Sequence, residues 1–250
     1  MKPSKNQTTY DETYNIGIAE TYYQEIKKLI KSYFNFLNND IINKFIATGN
    51  INIIKTEFIL HNSGLYYDKA TEIATNMVTK VNTQVNAGLR KAYIEASKPI
   101  PPQIKNNKLT KNSYELISQQ VQKIRGLCDY QYIRIEESAY KTVVEKKGIE
   151  YFKTELKSVK IYDEKRIKNI AYNQLHYATN IININKALDL GIERGTWRHP
   201  SEKVYKTHGR PSHIEANGKS FKLNKGCKID GEYIYPAQLI NCKCYYTMEI

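Results

Sequence analysis

Nowhere does this 250-residue chain string together the ~18 apolar residues that a membrane-spanning helix requires, so no membrane span is expected. Glycine and proline are scarce from Asp11 to about Leu190, with SKPIPP at residues 97–102 the main interruption, and that leaves room for long helices. The cysteines, Cys128, Cys227, Cys242 and Cys244, are too few and too unevenly spaced for a secreted disulfide scaffold, so a reducing compartment is expected. The opening residues, MKPSKNQTTYDETYN, lack the apolar core of a secretory signal and are expected to be retained. Neither the Gly-x-x-x-x-Gly-Lys-Ser/Thr loop nor the Gly-x-Gly-x-x-Gly turn occurs, so no phosphate-cradling glycine loop is present.

Positive charge is in excess: 38 Lys and Arg stand against 25 Asp and Glu, a formal +13. Residues 1–100 carry 12 basic and 9 acidic side chains, a net +3, whereas residues 101–250 carry 26 and 16, a net +10. Such an excess favours polyanions through counterion release. No cluster resembles a dedicated basic arm, so the expected partner is double-stranded DNA bound without sequence preference.

Apolar residues recur at helical spacing through the long region. Ile18, Tyr22, Ile26, Leu29, Tyr33 and Leu37 line one face of a first helix, with Asp11 as its expected cap. A shorter apolar stretch lies near 51–60, and a long helix from Tyr67 to Ala96 carries Ile73, Met77, Val81 and Val85 on one side. Further helices are expected over 113–125, 130–146 and 163–190, with a short helical piece at 148–159. Prolines and a polar run make 97–112 the expected linker and the most protease-sensitive internal segment.

After residue 190 the pattern changes. Six of the twelve glycines, Gly191, Gly195, Gly209, Gly218, Gly226 and Gly231, punctuate short alternating runs such as GTWRH, KSFKL and GEYIY. EANGKSF reads as a hairpin with Asn217-Gly218 in a type I′ turn. The fold class expected is mainly α with a small C-terminal β-rich module (α+β). Its divisions are an N-terminal helical region at 1–96, the linker at 97–112, a second helical region at 113–190 and the β-rich module at 191–250.

The module holds the chain's candidate metal ligands. His208, His213, Cys242 and Cys244 could form a Cys₂His₂ zinc set, and His199 and Cys227 are spare candidates. On an extended strand Cys242 and Cys244 share a face with roots ~6.6 Å apart, whereas two thiolates on one zinc stand roughly 3.8 Å apart, so ligation needs a kinked chain. The preferred reading has the cysteines packed as small apolar residues in a strand, with His213 holding a turn and no cofactor. Catalysis has less support. Nothing local activates either cysteine, and Asp230 and Glu232, the nearest acids, fit no nuclease template.

Several of these residues, in order, resemble the phage head-morphogenesis (Mu F-like) minor head protein family. They are Trp197 on a strand, Arg210-Pro211-Ser212-His213, Asn217-Gly218 followed by Phe221, and Asn241-Cys242-Lys243-Cys244. The stretch at 167–191 resembles the family's last helix, so the resemblance spans roughly residues 160–250. Tyr172-Asn173-Gln174 stands where the family commonly has Arg-Thr-Glu, and Lys243 stands for its Arg. The resemblance implies a non-enzymatic minor head (minor capsid) protein of a tailed phage or prophage that assists head assembly or DNA delivery. It would lie in the virion, in the head interior or at the portal, after assembly in the host cytoplasm. Portal protein, capsid or scaffold components and DNA would be its partners. The alternative is a metal-dependent nuclease or toxin-like effector built on the C-terminal His/Cys cluster.

Overall fold

A computed structural model describes residues 9–11, 15–54, 56, 65–200 and 209–250. The architecture is mainly α with a small C-terminal β-rich module, as the sequence pattern leads one to expect. Helix α1 (Ile16–Phe36) passes through a π-helical stretch (Leu37–Ile42) into α2 (Asn43–Thr48). Then come α3 (Leu65–Glu95), the one-turn α4 (Pro102–Lys105), α5 (Lys111–Val143) and α6 (Ile149–Asp189). The described residues divide into two compact units: those within 19–76 and 117–172 make one, and the remainder make the other. The compact units therefore do not follow the sequence divisions at 96, 112 and 190. Helices α3, α5 and α6 each contribute to both.

The first unit rests on the 3.6-residue apolar period. Tyr22, Ile26, Leu29, Ile30 and Tyr33 of α1 are buried, and Phe45 meets Phe152 edge to face with centroids 4.8 Å apart. Asn15, not Asp11, starts α1: its Oδ1 accepts from the backbone N–H of Gly17 at 2.9 Å and of Ile18 at 3.2 Å. Asp11 instead ends strand β1 (Thr9–Asp11).

The expected breaks at 126–129 and 160–162 do not occur. Gly126 lies inside α5, where no neighbouring atom lies within 4 Å of a Cβ placed there, and its helix cost of about 1 kcal/mol is small beside the apolar burial on either side. The apolar stretch near 51–60 falls largely outside the described residues.

In the second unit the 97–112 segment is anchored rather than loose. Asn82 Nδ2 donates to Asn107 O at 2.8 Å, Asn86 Nδ2 to Asn106 O at 2.8 Å, and Arg90 Nη1 to Lys105 O at 3.2 Å. Ile104 of α4 is fully buried. The end of α6 is fixed just as firmly. Gly191 adopts φ +77°, Ile192 N–H donates to Ala187 O at 2.9 Å, and Gly191 N–H donates to Leu188 O at 3.0 Å. This is the paired-bond stop that a left-handed residue permits, and it turns the chain into the β module.

That module has a four-stranded antiparallel sheet in the order β1-β6-β2-β3, with β2 at Arg194–Arg198, β3 at Ser220–Lys222 and β6 at Tyr245–Glu249. Trp197 pairs with Tyr246 and Gly195 with Phe221. A separate hairpin joins β4 (Cys227–Ile229) to β5 (Glu232–Ile234). EANGKSF is not a hairpin. Pro211 opens a short helix, α7 (Pro211–Glu215), and of the two turn residues only Gly218 is left-handed, at φ +84°. A type I′ turn needs both.

Candidate metal centre

Three elements bring the site together. Helix α7 supplies His213, on which the indole of Trp197 from β2 stands edge to face at 5.4 Å. Cys242 and Cys244 come from the irregular segment just before β6, not from a strand interior as expected. Asn241 at φ +61° turns the chain into that segment, a conformation Asn tolerates better than most residues. Its backbone N–H donates to Asn173 Oδ1 at 3.1 Å, and Asn173 Nδ2 donates back to Asn241 Oδ1 at 3.3 Å, tying the segment to α6. Arg210 Nη2 donates to Ile240 O at 3.0 Å, joining the segment to the start of α7.

His213, Cys242 and Cys244 are all buried, and their candidate ligand atoms lie within 4.8 Å of one another. This His/Cys group could hold a metal ion. His213 Nδ1 lies 3.4 Å from Cys242 Sγ and 3.6 Å from Cys244 Sγ. A tetrahedral zinc with Zn–N of ~2.05 Å and Zn–S of ~2.3 Å has an N···S edge of about 3.6 Å, so the spacing fits. A single N–H can point squarely at only one of two sulfurs, whereas a shared ion accounts for both distances. His213 Nε2 is buried and makes no hydrogen bond.

One thiol of the pair is prepared for deprotonation. Cys242 is pushed well down, first by the hydrogen bond from the Cys244 thiol and also by the backbone amides of Cys244 and Ala237, with burial opposing. Cys244, as the donor of that pair and itself buried, is pushed well up. The Trp197 indole N–H makes no close hydrogen bond, yet it is near enough to Cys244 to favour its thiolate. An ion would take the place of the proton between the two sulfurs.

The remaining motif residues serve this arrangement. Asn217 Oδ1 accepts from His199 N–H at 3.0 Å, and Gly218 N–H donates to Trp197 O at 2.8 Å. Phe221 packs on Trp197 and Tyr246 with centroids 6.3 and 6.1 Å away. Of the other candidates, His208 lies outside the described residues, and Cys227 sits in the β4–β5 hairpin outside the group. Asp230 is engaged by Ser212, whose Oγ donates to Oδ2 at 2.7 Å, and Glu232 is exposed on β5. Neither acid joins the His/Cys group. A cleft of about 570 Å³ adjoins the group, and His199 and Arg210 are among its lining residues. Asn173 was visible in the sequence only as a departure from a family pattern, because its role depends on a backbone amide 68 positions away.

No protein-family model, curated protein or solved structure matches the chain.

Proposed function

We propose that this chain is a minor head protein of a tailed phage, non-enzymatic, with a C-terminal module held together by zinc. The observation that carries the reading is the convergence of the head-morphogenesis pattern. Trp197, Arg210, His213, Asn217, Phe221, Asn241, Cys242 and Cys244 span 48 positions, yet Trp197, His213, Phe221, Cys242 and Cys244 meet around one His/Cys group, while Arg210, Asn217 and Asn241 hold the neighbouring backbone at Ile240, at His199 and, through Asn173, at Asn241 itself. A scattered pattern that closes on itself is what a module under common structural constraint requires. Zinc is favoured over other ions by the donor set, one imidazole and two thiolates at tetrahedral spacing.

The charge supports the setting. A net +10 over residues 101–250 suits a component that works beside densely packed phosphate, and portal and capsid or scaffold proteins are the proposed protein partners. DNA binding would be weak in sequence preference and steep in salt dependence.

The test is mass spectrometry of purified phage heads and of empty precursor heads. The protein should be present at low copy number relative to the major shell protein, together with the portal. Its absence from both kinds of particle would overturn the reading. Elemental analysis of the isolated protein should give one zinc per chain. The cleft beside the His/Cys group supports a second reading, a metal-dependent nuclease or toxin-like effector. Plasmid cleavage that chelator abolishes would favour it.

A further inference from the structure

We infer that His199 supplies the fourth ligand, closing a Cys₂His₂ site with His213, Cys242 and Cys244. This rests on the zinc reading above and decides what kind of site it is. His213, Cys242 and Cys244 provide three donors, and a structural zinc needs four.

His199 lines the same cleft as those three residues. It follows β2 directly and stands two residues beyond Trp197, whose indole packs on His213. Its backbone is anchored through Asn217 Oδ1. Its ring lies against the chain leading into α7: a Cβ at Gly209 would stand 2.5 Å from His199 Nε2, so the missing side chain there leaves space for the imidazole. His199 is half-buried and stands outside the close group of His213, Cys242 and Cys244, so ligation requires its ring to turn toward the sulfurs. No carboxylate competes for the position within the His/Cys group of the described residues. Two thiolates and two neutral imidazoles make a closed structural set with no position left for substrate.

The experiment uses the full chain loaded with zinc for affinity and with cobalt(II) for geometry. Wild-type protein should bind one ion and give the intense visible bands of a tetrahedral cobalt site. His199→Ala should bind at least about tenfold more weakly, with the bands weakened as water enters the open position. His199→Cys should restore both affinity and tetrahedral bands, and His208→Ala should match wild type. Far-UV circular dichroism and Trp197 emission of the variants at saturating zinc check that they fold alike. If His199→Ala matches wild type in affinity and spectrum, or if His208→Ala shows the loss instead, the assignment to His199 is overturned while the zinc reading stands. If wild type binds no ion, both fall.

Discussion

In the unit built from parts of 19–76 and 117–172, helices α1 and α6, each of twenty residues and more, bury Tyr22, Ile26 and Phe152, the short α2 adds Phe45, and apolar side chains carry the packing. The unit that contains the β module is different. Its strands are three to five residues long, and at their centre lie an imidazole, two thiols and a tryptophan. Long amphipathic helices remove enough surface from water to hold without cross-links, whereas strands this short do not. The two units therefore differ in the kind of perturbation each should resist.

Metal removal should separate them most sharply. The chain's single tryptophan, Trp197, sits against His213, so its emission reports on the module alone. Chelator, or the Cys242→Ala, Cys244→Ala double substitution, should shift that emission and unfold the module, while far-UV helicity is largely kept. A structural zinc contributes on the order of 10 kcal/mol; two packed thiols without metal contribute about 1–2 kcal/mol. A double variant that melts only slightly below wild type, with unchanged Trp197 emission, would return the cysteines to simple packing.

The converse perturbation is Phe152→Ala. It removes the ring that meets Phe45 and should cost about 3–5 kcal/mol, lowering the helical melt and leaving Trp197 emission at 25 °C and metal content unchanged. Loss of bound metal in this variant would show that the units are not independent in the way the comparison holds.

The third test concerns the anchored segment. Asn86→Ala removes donors to Asn106 O at 2.8 Å and Asn107 Oδ1 at 3.1 Å. The expected cost is about 1–2 kcal/mol, together with faster limited proteolysis within 97–112. Wild-type protein should resist cleavage there, against the expectation from proline content, because Ile104 is buried and three neighbouring carbonyls are bonded.

What the sequence disclosed follows from the range of each interaction. The faces of α1 and α3 were legible because Tyr22, Ile26, Ile73 and Met77 recur at a period set by local geometry. The merging of two expected helices at Gly126 was not, because a local propensity was outweighed by burial along the rest of α5. Asn217-Gly218 suggested a hairpin, but Pro211 six positions earlier starts a helix and leaves only Gly218 to turn. His213, Cys242 and Cys244 were picked by residue type, yet their meeting depends on Asn173, Asn241 and Arg210. Single polar residues of that kind give no periodic signal. Asn82 and Asn86 were silent for the same reason.

The smallest expected effect lies in the helical unit and carries a pH signature. The Tyr33 hydroxyl is buried without a hydrogen-bond partner, and burial holds its phenol well above the usual range near 10. Removing an unsatisfied hydroxyl while keeping the ring should be close to neutral, so Tyr33→Phe is expected within about 0.5 kcal/mol of wild type at pH 7. The sign at high pH is fixed by where protons are held. Above about pH 10 the unfolded chain releases the Tyr33 proton while the folded chain retains it, so wild type loses stability as pH rises and the variant is spared that loss. The difference between the two should therefore move in favour of Tyr33→Phe by about 1 kcal/mol between pH 9 and 11, read from paired denaturant titrations of the helical signal. A gap that stays constant with pH would mean the hydroxyl is shielded no better in the folded unit than in the unfolded chain. A large loss already at pH 7 would mean it has a partner.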